Sequence, residues 1–223
     1  METQLKQSFA GKNKPAQVGF PLHQPLMERW SSRAFSGQPV RPDVIGSLLE
    51  AARWAPSSMN AQPWRFVVAT KDQPEDYDRL FESLSQKNQQ WAGEAPVLIL
   101  AVSKTDFDGD YGRNSYAEYD TGQAVAHLTL QATTLGLNLH QMGGFSKEQI
   151  RNTLELPDGF EPMTITAIGY PGDPEELPAS FQAREESPRS RLPLNEIAFD
   201  GEWERSIDAL FNRENQSWNK EGV

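Results

Sequence analysis

Cysteine is absent from the chain. That excludes a disulfide scaffold, thiol catalysis and thiolate metal sites, and it accords with a reducing compartment, so a cytoplasmic location is expected. Long apolar runs are missing too. The longest, Pro96 to Val102, falls far short of the roughly 20 residues that span a bilayer, so no membrane association is expected. The opening stretch METQLKQSFAGKNK carries charge but no apolar segment and does not read as a secretory signal. Basic charge is scarce: 21 Lys and Arg against 31 Asp and Glu leave a net charge of −10. A nucleic-acid surface needs a basic face, and this chain has none to offer.

Several motifs of common chemistry are also lacking. No GxGxxG follows a strand-like segment, no GxxxxGK[ST] occurs, and GxSxG is absent. His23, His127 and His140 show no metal-ligand spacing, and no metal site is expected. Asp106-Phe107-Asp108-Gly109-Asp110 suggests a calcium loop, but the sixth and twelfth places hold Tyr111 and Ala117 where glycine and glutamate are required. It reads as a surface loop.

What is present is a 223-residue chain that is 37% hydrophobic and 23% charged, ample for a buried core. Residues 1–22 lack periodicity and read as an arm, flexible or wrapped around a partner; 23–200 form the main domain and 201–223 a tail. A short helix is predicted from Pro25, and a longer one from Pro42, with Val44, Ile45, Leu48, Leu49, Ala52 and Trp54 at helical spacing. Strands are predicted over Trp64–Ala69, Val97–Val102, Leu137–Gln141 and Met163–Tyr170. Residues 75–92 read as one helix, and Asn114–Leu135 as the longest, with Gly136 as its C-cap. Lys147–Leu154 is a short helix capped by Ser146. Residues 171–223, rich in Pro, Glu and Arg, show little core of their own and are expected to dock on a partner subunit. The pattern is α+β around one core.

Three segments concentrate chemistry. In Arg29-Trp30-Ser31-Ser32-Arg33, two arginines four apart with hydroxyls between them match an anion's oxygens. Alone, it reads rather as an exposed helix end with ordinary cations. Pro56-Ser57-Ser58-Met59-Asn60-Ala61-Gln62-Pro63-Trp64 packs hydroxyls and amides between prolines, which suits the donor–acceptor edge of a planar heterocycle, or merely stops a helix. Pro188-Arg189-Ser190-Arg191-Leu192-Pro193 supplies two more arginines. Four arginines in two short motifs of an acidic chain suggest one shared anion, such as a phosphomonoester.

The ordered set R-x-S-x-R, P-S-S-x-N-x-Q-P-W and R-S-R-L-P resembles the flavin-dependent nitroreductase family over roughly residues 23–200, and His140-Gln141-Met142-Gly143-Gly144-Phe145 is similar to a bacterial branch of it. The resemblance implies an α+β fold with a mixed, mainly antiparallel central sheet flanked by helices, in a segment-swapped homodimer with FMN at the interface. It implies that Arg29, Ser31 and Arg33 hold the phosphate and reach the pyrimidine edge, with Trp30 contributing backbone contact. Arg189 and Arg191 would complete the phosphate clamp. Pro56, Ser57, Ser58, Asn60 and Gln62 would line the flavin from the opposite subunit, Asn88 would touch the ring, and Gly143 and Gly144 would bring backbone near N5. Where relatives carry glutamate-glycine, this chain has Gly143-Gly144.

The implied activity is transfer of hydride from NADH or NADPH through flavin N5 to an electron-poor acceptor (a nitroaromatic, quinone or activated alkene), by ping-pong kinetics and with no side chain serving as catalytic acid. The alternatives are a flavin-binding module without turnover, or a dehalogenase or other specialised flavoenzyme on the same scaffold.

Overall fold

The computed structural model describes residues 14–211. Their contacts divide into two compact units, one ending at Ser187 and one beginning at Pro188. Of the expected arm and tail, residues 1–13 and 212–223 lie outside the described residues.

The first unit is built on four strands: β1 (Trp64–Thr70), β2 (Val97–Lys104), β3 (Asn138–Met142) and β4 (Phe160–Gly169). They lie in the order β1-β2-β4-β3, and every pair is antiparallel. No parallel pair occurs among the described residues. The apolar run of β2 explains its inner position, because each of its faces meets a helical layer. Leu98, Leu100 and Val102 point into one core and Val97 and Ile99 into the other, as the two-residue period of a strand requires.

The first layer contains α3 (Pro74–Phe81), α4 (Gln86–Ala92), α6 (Lys147–Thr153) and α7 (Ala179–Glu186). It packs Tyr77, Leu80, Trp91, Ile150 and Phe181 onto Leu98 and Ile165. On the other face, α2 (Pro42–Arg53) and α5 (Ala117–Thr134) bury Leu48, Ala52, Ala124, Leu128 and Ala132 against Ile99 and Ile168. A one-turn helix, α1 (Gln24–Glu28), precedes them. Gly136, at φ 74°, ends α5 in the left-handed conformation that glycine adopts without strain, and Ser146 caps α6 by accepting from the Gln149 amide.

Two departures from the sequence reading position the site. Residues 75–92 are not one helix. Leu84 pairs with Phe145, the Ser85 amide donates to the Gly144 carbonyl at 2.9 Å, and the Ser146 amide to the Ser83 carbonyl at 2.8 Å. This bridge breaks the helical ladder and starts α4 beside the two glycines. The stretch 171–187, expected to have little core and to dock on a partner, packs on its own chain instead: Leu177 and Phe181 belong to the first core, and α7 carries a buried glutamate, Glu185.

The second unit is short. It contains a helical turn at Leu194–Glu196, a bridge between Phe199 and Ser206, and a Phe199–Trp203 ring contact at 4.9 Å.

Candidate functional site

Arg29 to Ala34 leaves α1 with no strand partner, so its backbone polar groups need other acceptors and donors. Side chains supply them. The His140 ring, on β3, lies with Nδ1 at 3.0 Å from the Ser31 carbonyl and 3.2 Å from that of Ser32, and therefore donates from this nitrogen. Asn138 Nδ2 donates to the Ala34 carbonyl at 3.3 Å. From the other side, Glu185 accepts from Ser32 Oγ at 3.0 Å and from the Arg33 amide at 3.1 Å, while the Ala34 amide donates back to Ser32 Oγ at 3.2 Å. Lys14 Nζ donates to the carbonyls of Arg184 and Glu185 and rests over the Trp30 ring at 4.3 Å.

Within this cradle the expected ligands separate. Ser31 stays exposed, with Arg29 Nη1 3.5 Å from its hydroxyl. Ser32 and Glu185 are each only 1% exposed. Arg33 is engaged inward: its Nη1 lies 3.6 Å from Glu185 Oε1, and its guanidinium packs against Trp91 and Phe181, with only 18% of the side chain exposed. Burial lowers the Arg33 pKa and raises that of Glu185, each opposed by the pairing. His140 packs on Trp91 with ring centroids 4.6 Å apart, and burial followed by the Arg33 charge pushes it down to about 4. Burial thus favours the neutral ring at pH 7, against the two carbonyls, which favour the protonated one.

Asn88 and Gly144 also come together. Asn88 Nδ2 donates to the Gly144 carbonyl at 3.0 Å, and a Cβ on Gly144 would stand 3.0 Å from that nitrogen and 3.1 Å from Ser85 Oγ. Gly143 faces open space. Both glycines are exposed, directly beyond the end of β3.

The loop Pro56–Gln62 is built differently. Met59, Asn60 and Gln62 adopt positive φ of 53°, 55° and 46°, a region that costs non-glycine residues free energy and clusters at functional sites. The Gln62 amide donates to Ser57 Oγ at 3.0 Å, and Gln62 Nε2 to the Asn60 carbonyl at 3.1 Å. Asp120 of α5, only 3% exposed, accepts from the Ser58 amide at 2.9 Å. Pro56, Asn60 and Gln62 point to solvent.

Arg189 and Arg191 lie in the second unit, where burial and then the Arg191 charge lower the Arg189 pKa. Sequence reasoning missed His140, Asn138, Asp120 and Glu185. His140 had a signal, since it opens the H-Q-M-G-G-F run; Glu185 had none among 31 acidic residues.

Fold and site together define an α+β protein with a prepared cradle along one sheet edge, and comparison with known proteins gives its kin. The model of the Nitroreductase family matches residues 26–170, and the chain belongs to that family, hence to the oxidoreductases. An uncharacterised 15.4 kDa protein of Mycolicibacterium smegmatis is 32% identical over 145 residues, which is 62% of this chain and 97% of that protein. An NADH dehydrogenase of Thermus thermophilus is 27% identical over 202 residues, covering 77% and 91% of the two chains. Among solved structures, one described as an oxidoreductase containing FMN is 39% identical with a TM-score of 0.80, covering 84% of this chain and 95% of its own. A nitroreductase family protein from Clostridium difficile 630 is 28% identical with a TM-score of 0.61, covering 78% and 94%. No helix among the described residues is long and apolar enough to cross a membrane.

Proposed function

We propose that the chain is an FMN-dependent oxidoreductase that uses NADH or NADPH to reduce an electron-poor acceptor. The observation that carries this reading is that β3 fastens both ends of one ledge. His140 holds the carbonyls of Ser31 and Ser32, and the strand then runs out into Gly143 and Gly144 beside Asn88. Both anchors are thus carried by one strand and the two residues that follow it.

The residues present fit FMN. At one end, the Ser31 hydroxyl and Arg29 guanidinium offer donors to a phosphate. At the other, exposed backbone without a Cβ allows a flat ring to approach, and the Asn88 amide is already oriented by the Gly144 carbonyl. When bound, the flavin supplies hydride transfer at N5 between the nicotinamide and the acceptor. The chain's own residues bind and orient, and the Arg33 guanidinium adds positive charge to the cradle. Arg189 and Arg191 are assigned to the phosphate on their motif alone, and Arg33 to the inner part of the site. We further propose a homodimer in which the exposed loop Pro56–Gln62 lines the partner's flavin, and a cytoplasmic location consistent with the lack of cysteine.

The test is to release the chromophore of the purified protein by heat, identify it by chromatography, and mix the holo-protein anaerobically with NADH and NADPH. FMN with rapid bleaching by one donor is expected. FAD, or no chromophore, contradicts the cofactor reading; FMN that neither donor bleaches contradicts turnover. Light scattering should give about twice the 25.0 kDa chain mass.

A further inference from the structure

Glu185 presents a carboxylate inside the first unit with three protein donors around it: Ser32 Oγ, the Arg33 amide and the Arg33 guanidinium. A carboxylate costs free energy to bury, and an amide or an apolar side chain could fill the same volume. What a carboxylate does that glutamine cannot is offset the Arg33 charge. His140 beside them is held largely neutral at pH 7 by burial, so Arg33 and Glu185 form the ion pair of the inner wall, with the charges of Arg29 and Arg184 felt around it. Lys14 reaches the backbone carbonyls of Arg184 and Glu185, adding a cation at the rim.

Resting on the reading that this cradle binds FMN, we propose that Glu185 is a positioning residue that sets the redox potential of the bound flavin, by fixing Arg33 in place and cancelling much of its charge. Reduction adds negative charge to the flavin. A bare cation on the cradle wall favours the reduced form, and a paired one favours it less. Glu185 thus holds the potential below the value that Arg33 alone would give.

Glu185→Gln isolates the charge. The glutamine Oε1 still accepts from the Arg33 amide, and the Ser32 hydroxyl, with a rotatable proton and two lone pairs, accepts from Nε2 where it now donates. The midpoint potential of the flavin in the purified holo-protein is measured anaerobically against reference dyes for wild type, Glu185→Gln, Arg33→Gln and the exposed control Glu148→Gln. Glu185→Gln should shift the preference for the reduced form about tenfold, the order expected of a unit charge in a partly buried site. For a two-electron couple that is a positive shift of about 30 mV. Arg33→Gln, measured at alkaline pH so that Glu185 stays ionised without its partner, should shift the potential the other way, and Glu148→Gln should leave it unchanged. A Glu185→Gln protein that keeps its flavin at the wild-type potential overturns the proposal. Should that variant not fold, an unshifted potential in Arg33→Gln overturns it equally. A wild-type protein that purifies and titrates without flavin removes the cofactor reading itself, a result distinct from either.

Discussion

Two segments of the first unit, Ser31–Ala34 and Pro56–Gln62, are both proposed to face a flavin, but they are held in opposite ways. The first has no left-handed residue, and its amides and carbonyls are satisfied by side chains from β3 and α7. The second has three non-glycine residues in the left-handed region, its internal bonds are local, and one buried carboxylate, Asp120, ties it to the body. The first is complete within one chain. The second spends conformational energy to hold side chains out in solvent, which makes sense if a second copy receives them. Substitutions should therefore cost the fold in the first segment, and ligand binding or assembly in the second.

The largest effect is expected from His140→Ala. It strips the donor from two carbonyls and opens a cavity beside Trp91, so stability should fall by about 2–4 kcal/mol, with a Tm several degrees lower in a thermal melt. A melt within a degree of wild type would show that the cradle does not depend on β3.

Acid should produce the next effect. His140 titrates at about 4 in the fold against an ordinary 6.5. Between those values the unfolded chain binds a proton that the folded chain refuses, so stability is fully present above pH 6.5 and is lost as pH falls toward 4, by about 1–3 kcal/mol. Glu185, with its pKa raised, acts in the opposite sense. The difference between wild type and His140→Asn across urea melts from pH 7 to 4 isolates the histidine, and parallel pH profiles would contradict it.

In the second segment, Asp120→Asn keeps an acceptor for the Ser58 amide but removes its charge, and should cost about 1 kcal/mol. The smallest effect reverses sign. Met59→Gly relieves a left-handed residue whose side chain is 66% exposed, and should leave stability unchanged or raise it by up to about 1 kcal/mol. The proposed dimer, followed by sedimentation, should nonetheless dissociate more readily. A clear loss of Tm without a change in assembly would erase the contrast between the segments.

Much of this frame was legible from the chain alone, and the reasons are physical. A run such as Val97–Val102 can be buried on both faces only inside a sheet, and Gly136 can end a helix at positive φ without cost, so β2 and the end of α5 were readable locally. The break in residues 75–92 was not, because it depends on Leu84 meeting Phe145, sixty-one positions away, rather than on a local breaker. Asn88 and Gly144 were each named on motif likeness, and the hydrogen bond between them follows from that same bridge. Glu185 was the least legible. Surrounded in sequence by Arg184, Glu186 and Ser187, it looks like solvated charge, and only the packing of Phe181 one turn earlier turns it inward to Ser32 and Arg33.

At the Ser31 end of the proposed cradle, the phosphate of FMN is the group to be tested first. The most direct measurement is a fluorescence titration of apo-protein with FMN and with riboflavin, for wild type, Arg29→Ala and Arg191→Ala. Hydrogen bonds to charged groups contribute about 1.5–3 kcal/mol, so each variant should bind FMN roughly tenfold to a hundredfold more weakly while its riboflavin affinity hardly changes. Equal losses for both ligands in Arg29→Ala would show that this arginine acts through the fold rather than on the phosphate, and would contradict the account.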